Sequence, residues 1–326
     1  MTKPYIVFIT ASEHGLGSLV PVFEIFENNT DTDTTLYLRD KNIRGLGGTD
    51  FSIDPIKVNR KPNALMTFEH WFGLERLVGN NARSRDIPVV MFDHGMPFCF
   101  KDFGYTYRKT IQPATVGCLW SKFHMDIMCR LNGKDNFVVT GNPQYDQMVG
   151  YVPPEMDVPS EFALLLTDRW HRDCQHLNPS AEALSEIMPV VVKRHPRDVE
   201  GFGVEETISV KKYYTERYQT YTDYETLLPL IYKAKIIISN MSSALVPAML
   251  WRKPIFILDF EDSGYKFNDF RDKYCDVFNF KQDAVWNDEI IRNAKILTAE
   301  DAELFGHKLD GKNAERVAKV IMDYAK

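Results

Sequence analysis

The sequence contains no apolar run approaching the roughly 18 residues that a membrane-spanning helix needs. Its five cysteines (Cys99, Cys118, Cys129, Cys174, Cys275) are odd in number, widely scattered and form no CxxC pair, which argues against a disulfide framework and a zinc site. His171, Cys174 and His176 have ligand chemistry but no fourth partner nearby, so no metal is expected. GxGxxG, Walker A, GxSxG, HExxH and EF-hand patterns are all missing, as are internal repeats and low-complexity tracts. The start, Met1-Thr2-Lys3-Pro4-Tyr5, passes into a strand-like run with no signal-peptide core, and a cytoplasmic location without integral membrane contact is the expectation.

What is present is an ordinary globular composition, 44% hydrophobic and 26% charged, which excludes a disordered or collagen-like chain. At about 100–200 residues per domain, 326 residues imply two domains. The net charge of −6 is unevenly placed: residues 1–150 carry 16 basic and 16 acidic side chains, the remainder 23 and 29. Within the neutral half, Arg76, Arg83, Arg85, Lys101, Arg108 and Lys109 outnumber Asp86, Asp93 and Asp102, a local basic surface suited to an anionic acceptor.

Short bounded apolar runs alternate with helical patterns. Tyr5–Ile9 reads as a buried parallel strand, followed by a turn containing His14, Gly15 and Gly17 and a helix with Leu19, Val22, Phe23 and Phe26 on one face. Further strands are expected at 35–38, 87–92, 116–120, 136–140, 162–166, 188–193, 206–210, 235–239 and 254–258, with helices at 121–131 and 313–326. Such alternation implies doubly wound parallel sheets. Three prolines in Pro153–Pro159 make the best linker, giving domains at 1–150 and 160–310 and a C-terminal helix at 311–326 that packs back.

In open α/β sheets ligands gather at the carboxyl ends of strands, so the residues that follow each strand are the candidates. Ser239, Ser242 and Ser243 lie between a strand and a helix, where hydroxyls and unpaired backbone N–H groups suit a phosphate; a plain helix cap is the other reading of Ser242. Lys193-Arg194-His195-Pro196-Arg197 gathers proton donors and cations after a Val-rich strand, and Arg169 follows an earlier one. Asp93-His94-Gly95 sets a carboxylate and an imidazole at a third strand end, although neighbours along a strand point to opposite faces.

Taken in order, Asp93-His94-Gly95-Met96-Pro97, Gly141-Asn142-Pro143-Gln144-Tyr145-Asp146, Lys193-Arg194-His195-Pro196, Ser239-Asn240-Met241-Ser242-Ser243 and Arg252-Lys253-Pro254-Ile255 resemble the CDP-glycerol glycerophosphotransferases, with W-H-G-T-P, G-x-P-x-x-D, K-x-H-P, T-D-Y-S-S and K-P-I. More broadly the chain resembles GT-B transferases and UDP-N-acetylglucosamine 2-epimerases. The resemblance implies two facing Rossmann-like doubly wound domains with a C-terminal helix crossing back. It implies a nucleotide-activated donor of UDP or CDP type as substrate, with no tightly bound cofactor. His94 or Asp93 would be the base, with His195 at the donor pyrophosphate. Ser242, Ser243, Ser239, Lys193, Arg169 and Gly141 would hold the donor phosphates, and His14, Gly15 and Gly17 would lie on the acceptor side. Asp93 in place of tryptophan favours glycosyl transfer to a hydroxyl acceptor such as a phosphate-bearing glycan, a polyol or a hydroxylated base in DNA. Glycerophosphoryl transfer, epimerisation of a nucleotide sugar and a non-catalytic nucleotide-binding module stay open as alternatives, and the oligomeric state is left open.

Overall fold

The computed structural model describes residues 3–10, 13–38, 49–50, 60–68, 73–93, 95, 114–133, 135–167, 171–195, 214–221, 225–240, 242–259 and 268–326. The chain forms two compact units: the first takes the described residues up to Tyr151 together with Glu303–Lys326, and the second takes Val152–Ala302.

The first unit holds a parallel sheet of β1 (Tyr5–Thr10), β2 (Asp33–Leu38), β3 (Thr49–Asp50), β4 (Ala64–Phe68), β5 (Val89–Phe92), β6 (Val116–Leu119) and β7 (Phe137–Val139), in the order β3-β2-β1-β4-β5-β6-β7. The chain winds outward from β1 to β3, then returns to the other side of β1 for β4, so the switch point lies between β1 and β4. Strands β1, β4, β5 and β6 are buried along their whole length, the signature of a sheet covered on both faces. β4 escapes a reading from periodicity because Ala64, Leu65 and Met66 are strong helix formers held extended by the strands on either side.

Helix α1 (Glu13–Glu27) contains Gly15, Gly17 and Pro21, which at about 1 kcal/mol per glycine and 3 for proline should weaken it by roughly 5 kcal/mol. Its tertiary face outweighs that: Leu19, Val22, Phe23 and Phe26 are all buried, and at about 1.5–3 kcal/mol each they return roughly 6–12 kcal/mol. Phe23 and Phe26 meet Phe8 of β1 at 5.4 and 5.8 Å between ring centroids. Helix α2 (Gly73–Arg83) and helix α3 (Lys122–Asn132) follow β4 and β6; α3 is capped by Ser121, whose Oγ accepts from His124 N, and is closed by Gly133 in the left-handed region.

The second unit repeats the scheme with β8 (Ala163–Leu166), β9 (Val190–Lys193), β10 (Gln219–Tyr221), β11 (Ile236–Ser239), β12 (Ile255–Leu258) and β13 (Asn279–Lys281), all parallel, in the order β10-β9-β8-β11-β12-β13. Its switch point lies between β8 and β11. Helices α4 (His171–Ser185), α5 (Leu227–Lys233), α6 (Val246–Leu250), α7 (Asn268–Tyr274) and α8 (Asp288–Arg292) are threaded between or after the strands, and α9 (Ala299–Gly306) begins in this unit and ends among the residues of the first. Leu177, Ala181 and Leu184 of α4 join Leu165, Val192, Ile238 and Phe256 in one buried cluster. The expected strand at 206–210 falls outside the described residues.

The final helix, α10 (Asn313–Tyr324), belongs to the first unit and packs on α1 and on the 3₁₀ turn Pro143–Met148. Its buried stripe, Val317, Val320 and Ile321, supplies the apolar part of that contact. Its N-terminus has no side-chain cap of its own. Instead the Asp146 carboxylate accepts from Asn313 N at 2.9 Å and from Ala314 N at 2.8 Å, satisfying two orphan donors and the positive end of the dipole. Burial pushes the Asp146 carboxyl above its ordinary range, against the opposing pull of those two donors.

His307, just past α9, takes a left-handed φ of 66°, and its N–H closes that helix on Glu303 O at 2.9 Å. Burial first, then the nearby Arg316 charge, pushes its imidazole below the ordinary range. The neutral ring is therefore favoured by the fold, and this contribution is present above the unfolded value near 6.5 and is lost as pH falls through the folded value. His307→Asn keeps a residue that tolerates φ > 0. It is expected to flatten the stability difference between about pH 7 and pH 5 in urea unfolding, and an unchanged slope would remove the assignment to His307.

Candidate functional site

In the first unit, the carboxyl ends of β1, β4, β5 and β6 carry Thr10, Phe68, Asp93 and Trp120. Phe68, Phe92 and Trp120 stack in a row with centroid spacings of 6.3 and 6.5 Å, and Trp120 meets Tyr145 edge-on at 5.7 Å. Asp93 is 3% exposed, and its Oδ2 lies 3.0 Å from Nε2 of the fully buried His124. Its backbone carbonyl accepts from Trp120 Nε1 at 2.8 Å. A carboxylate enclosed in this way meets His124. His94, the side chain of His14, and Ser12 lie outside the described residues.

Three of the expected site glycines have packing tasks. A Cβ on Gly15 would sit 2.2 Å from Thr10 Oγ1 and 2.7 Å from the Phe68 ring, so this glycine lets α1 lie directly on the sheet. A Cβ on Gly17 would press on the Gln144 side chain at 3.2 Å. Gly141, at φ 77°, would put a Cβ 2.0 Å from Asn313 Oδ1. Asn313 Nδ2 donates to Asn142 O at 3.1 Å, while Asn142 Oδ1 accepts from Ser18 Oγ and Gln144 N, both at 3.0 Å. Gly141-Asn142-Pro143 together with Asp146 is thus the socket of α10, and Gly141 has a packing role against Asn313. Arg252-Lys253 is similar: Lys253 Nζ donates to the carbonyls of Ala234, at 3.1 Å, and Tyr232 at the end of α5, and Arg252 Nε donates to Leu297 O at 2.7 Å.

In the second unit the strand ends align. Tyr221, Lys193, Leu166, Ser239 and Ile257 stand side by side across β10, β9, β8, β11 and β12. Just beyond this row, Thr167 Oγ1 accepts from His195 N at 3.0 Å, which ties the basic segment to the end of β8. Lys193 is buried with its Nζ donating to Arg194 O at 3.0 Å, and Arg194 is 2% exposed. Ser239 Oγ donates to Leu166 O at 3.1 Å, and Ser242 Oγ accepts from Ala244 N at 3.3 Å as the cap of the 3₁₀ turn Ser243–Leu245 that leads into α6. Ser239 therefore joins the ends of β11 and β8, Lys193 closes on its own following carbonyl, and the Ser242–Ser243 backbone begins a new helical turn at the switch point. Arg169 lies outside the described residues.

Asn240 lies between Ser239 and Met241, where no sequence pattern distinguishes it. It is 1% exposed, and among the described residues neither its Oδ1 nor its Nδ2 has a hydrogen-bond partner. Buried polar side chains are overwhelmingly paired, so a carboxamide with neither end paired at a switch point is a candidate ligand contact. His124 was also missed, since 31 residues separate it from Asp93 and no local pattern links them. Burial raises the Cys118 thiol to about 12, which removes it as a nucleophile at neutral pH. Among the described residues no cluster of His, Cys, Asp or Glu could hold a metal ion, and no helix is long and apolar enough to cross a membrane.

No protein-family model and no curated protein sequence matches the chain. Solved structures do. A Staphylococcus aureus MnaA–UDP co-structure superposes with a TM-score of 0.69 at 12% identity, covering 98% of this chain and 96% of that one. A Methanocaldococcus jannaschii UDP-GlcNAc 2-epimerase in complex with UDP-GlcNAc and UDP gives 0.68 at 15% identity, covering 98% and 99%. The wall teichoic acid polymerase TagF, in a variant soaked with CDPG, gives 0.64 at 10% identity, covering 100% and 89%. Together with the two parallel sheets and the returning C-terminal helix, these likenesses show that the chain has the two-domain α/β GT-B fold.

Proposed function

We propose that this protein is a nucleotide-donor-dependent enzyme that moves a glycosyl group from a UDP- or CDP-activated sugar to a hydroxyl acceptor. The observation that carries the reading is Asn240: an open, buried carboxamide beside a helical start, at the switch point of a sheet whose fold is shared with UDP-GlcNAc-bound and CDPG-soaked structures. In this reading Asn240 and the Ser242–Ser243 backbone hold the donor diphosphate, with His195 at its edge. His94 takes the acceptor proton as the hydroxyl oxygen bonds to the anomeric carbon and the nucleoside diphosphate leaves. The reading places the base role on His94 rather than Asp93, a choice supported by the enclosure of Asp93 against His124.

Epimerisation of the donor sugar is the second reading, supported by the epimerases among the similar folds. A thermal-shift screen of UDP, CDP, GDP and their sugar conjugates tests both. A ligand at a hundred times its dissociation constant is expected to add about 2.7 kcal/mol of stability, and no shift with any nucleotide would remove the reading. With the stabilising sugar nucleotide alone, formation of its 2-epimer selects epimerisation; release of nucleoside diphosphate only when a polyol or glycan hydroxyl is added selects transfer.

A further inference from the structure

Among the described residues of the second unit, Asp259 is the buried carboxylate: it follows β12 directly and is 4% exposed. Burying an acid is costly unless something holds it, and Arg271 of α7 does so from one side, its Nη1 donating to Oδ2 at 2.5 Å. The Asp259 N–H donates to Lys281 O of β13 at 2.8 Å. The second carboxylate oxygen, Oδ1, makes no hydrogen bond among the described residues. A carboxylate oxygen can only accept, so whatever completes it brings a donor. An ion pair at this depth is weak evidence for stability, since apolar side chains of similar volume commonly replace one without loss.

The place of this acid in the chain says which donor it suits. β11, then Asn240 and Ser242, then α6 and β12 form one βαβ unit, with β11 and β12 adjacent and parallel. In mononucleotide-binding units of this build the phosphates lie at the end of the first strand, and an acid about 20 residues on, at the tip of the second, accepts from the ribose 2′-hydroxyl. Asn240 and Asp259 have that spacing and stand at those two tips. Ser239 is the partner of Ile257, so the same register sets Asp259 one residue beyond the level of Asn240. With strands about 4.8 Å apart and about 3.3 Å per residue, the two Cα atoms are roughly 6 Å apart. The intervening helix α6, Val246-Pro247-Ala248-Met249-Leu250, carries no acid of its own. We propose that Asp259 is a donor-binding residue whose Oδ1 accepts from the ribose 2′-hydroxyl of a nucleotide with its diphosphate at Asn240, while Arg271 holds the carboxylate by its other oxygen. The proposal rests on the nucleotide-donor reading above and adds the class of donor: ribonucleotide-activated sugars are taken and 2′-deoxyribonucleotide-activated sugars are rejected. A site built to pair a hydroxyl rejects the analogue that lacks it, because its own buried group is left unpaired.

The test takes the nucleoside diphosphate with the largest effect in the thermal-shift screen, UDP, CDP or GDP, and measures its dissociation constant and that of its 2′-deoxy form on the full-length protein. The native protein is expected to favour the ribonucleotide by about 10–100-fold. In Asp259→Ala the preference is expected to fall to within about twofold of none. In Asp259→Asn, whose amide oxygen accepts as a neutral group, it is expected to fall at least about threefold below the native value. An acid that served only the fold would weaken both nucleotides alike, so a preference unchanged in the variants overturns the proposal. If Asp259→Ala fails to fold, Asp259→Asn decides by the same ratio. Equal binding of the two forms by the native protein overturns this proposal alone and leaves the nucleotide-donor reading standing; binding of neither form removes that reading, and the assignment of Asp259 with it.

Discussion

Gly141→Ala is expected to cost roughly 3–5 kcal/mol of unfolding free energy, the sum of about 1–2 kcal/mol for a left-handed alanine and about 1 kcal/mol for each hydrogen bond that must yield. The added methyl would stand 2.0 Å from Asn313 Oδ1, an overlap that only displacement of α10 can relieve. Asn313 has little freedom to withdraw: its side chain donates to Asn142 O and accepts from Arg316 Nη1 at 3.0 Å, while its backbone N–H is taken by Asp146. For a unit of this size the loss lowers Tm by about 10 °C. Limited proteolysis should then release a C-terminal fragment that the native protein keeps. Gly141→Ala in an Asn313→Ala background meets open space instead, so the pair is expected to be strongly non-additive. A melting temperature within about 2 °C of native would show that α10 yields freely and is not anchored at this point.

Asn240→Leu is expected to do the opposite in the absence of ligand. A buried donor and a buried acceptor without partners each carry a desolvation penalty of about 1–3 kcal/mol, and leucine fills a similar volume without either. The free protein should therefore gain roughly 1–3 kcal/mol, a rise in melting temperature of several degrees. The same substitution removes two hydrogen bonds from the donor seat, and nucleotide affinity should drop about 10–100-fold, so that the ligand-induced shift shrinks or vanishes. Stability gained with binding lost separates a ligand-directed carboxamide from a structural one. If Asn240→Leu lowers the melting temperature of the free protein, the carboxamide supports the fold and the donor seat must be sought elsewhere.

These residues also show how far the sequence could be read. Two α/β domains were legible because Tyr5–Ile9, Val190–Val192 and Ile236–Ile238 are apolar runs too short for helices and flanked by helical patterns. β4, β10 and β13 were not, since Ala64-Leu65-Met66 favours helix alone and Gln219–Tyr221 and Asn279–Lys281 are short and partly polar; only the neighbouring strands hold them extended. In the site, Ser239 and Ser242 were rightly placed at a strand end, but which hydroxyl serves the backbone depends on Leu166 and Ala244, contacts that no spacing reveals. The motif Gly141-Asn142-Pro143 with Asp146 suggested a ligand site because its glycine and carboxylate suit one equally well; their partner, Asn313, stands 167 residues downstream of Asp146. Asp93 and His124 carry the same lesson at shorter range.

That long reach has a consequence for how the chain is made. Translation delivers Asp146 long before Asn313, and at about 5–20 residues per second the wait for 167 residues is roughly 8–30 s. Through that interval the nascent first domain has its sheet and α1 but lacks the helix that covers α1 and the Pro143–Met148 turn. Phe23 and Phe26 can pack on Phe8 of β1 at once, whereas the apolar surface meant for Val317 and Ile321 stays open until those residues are made. The first unit thus closes only after the second unit, Val152–Ala302, has been synthesised.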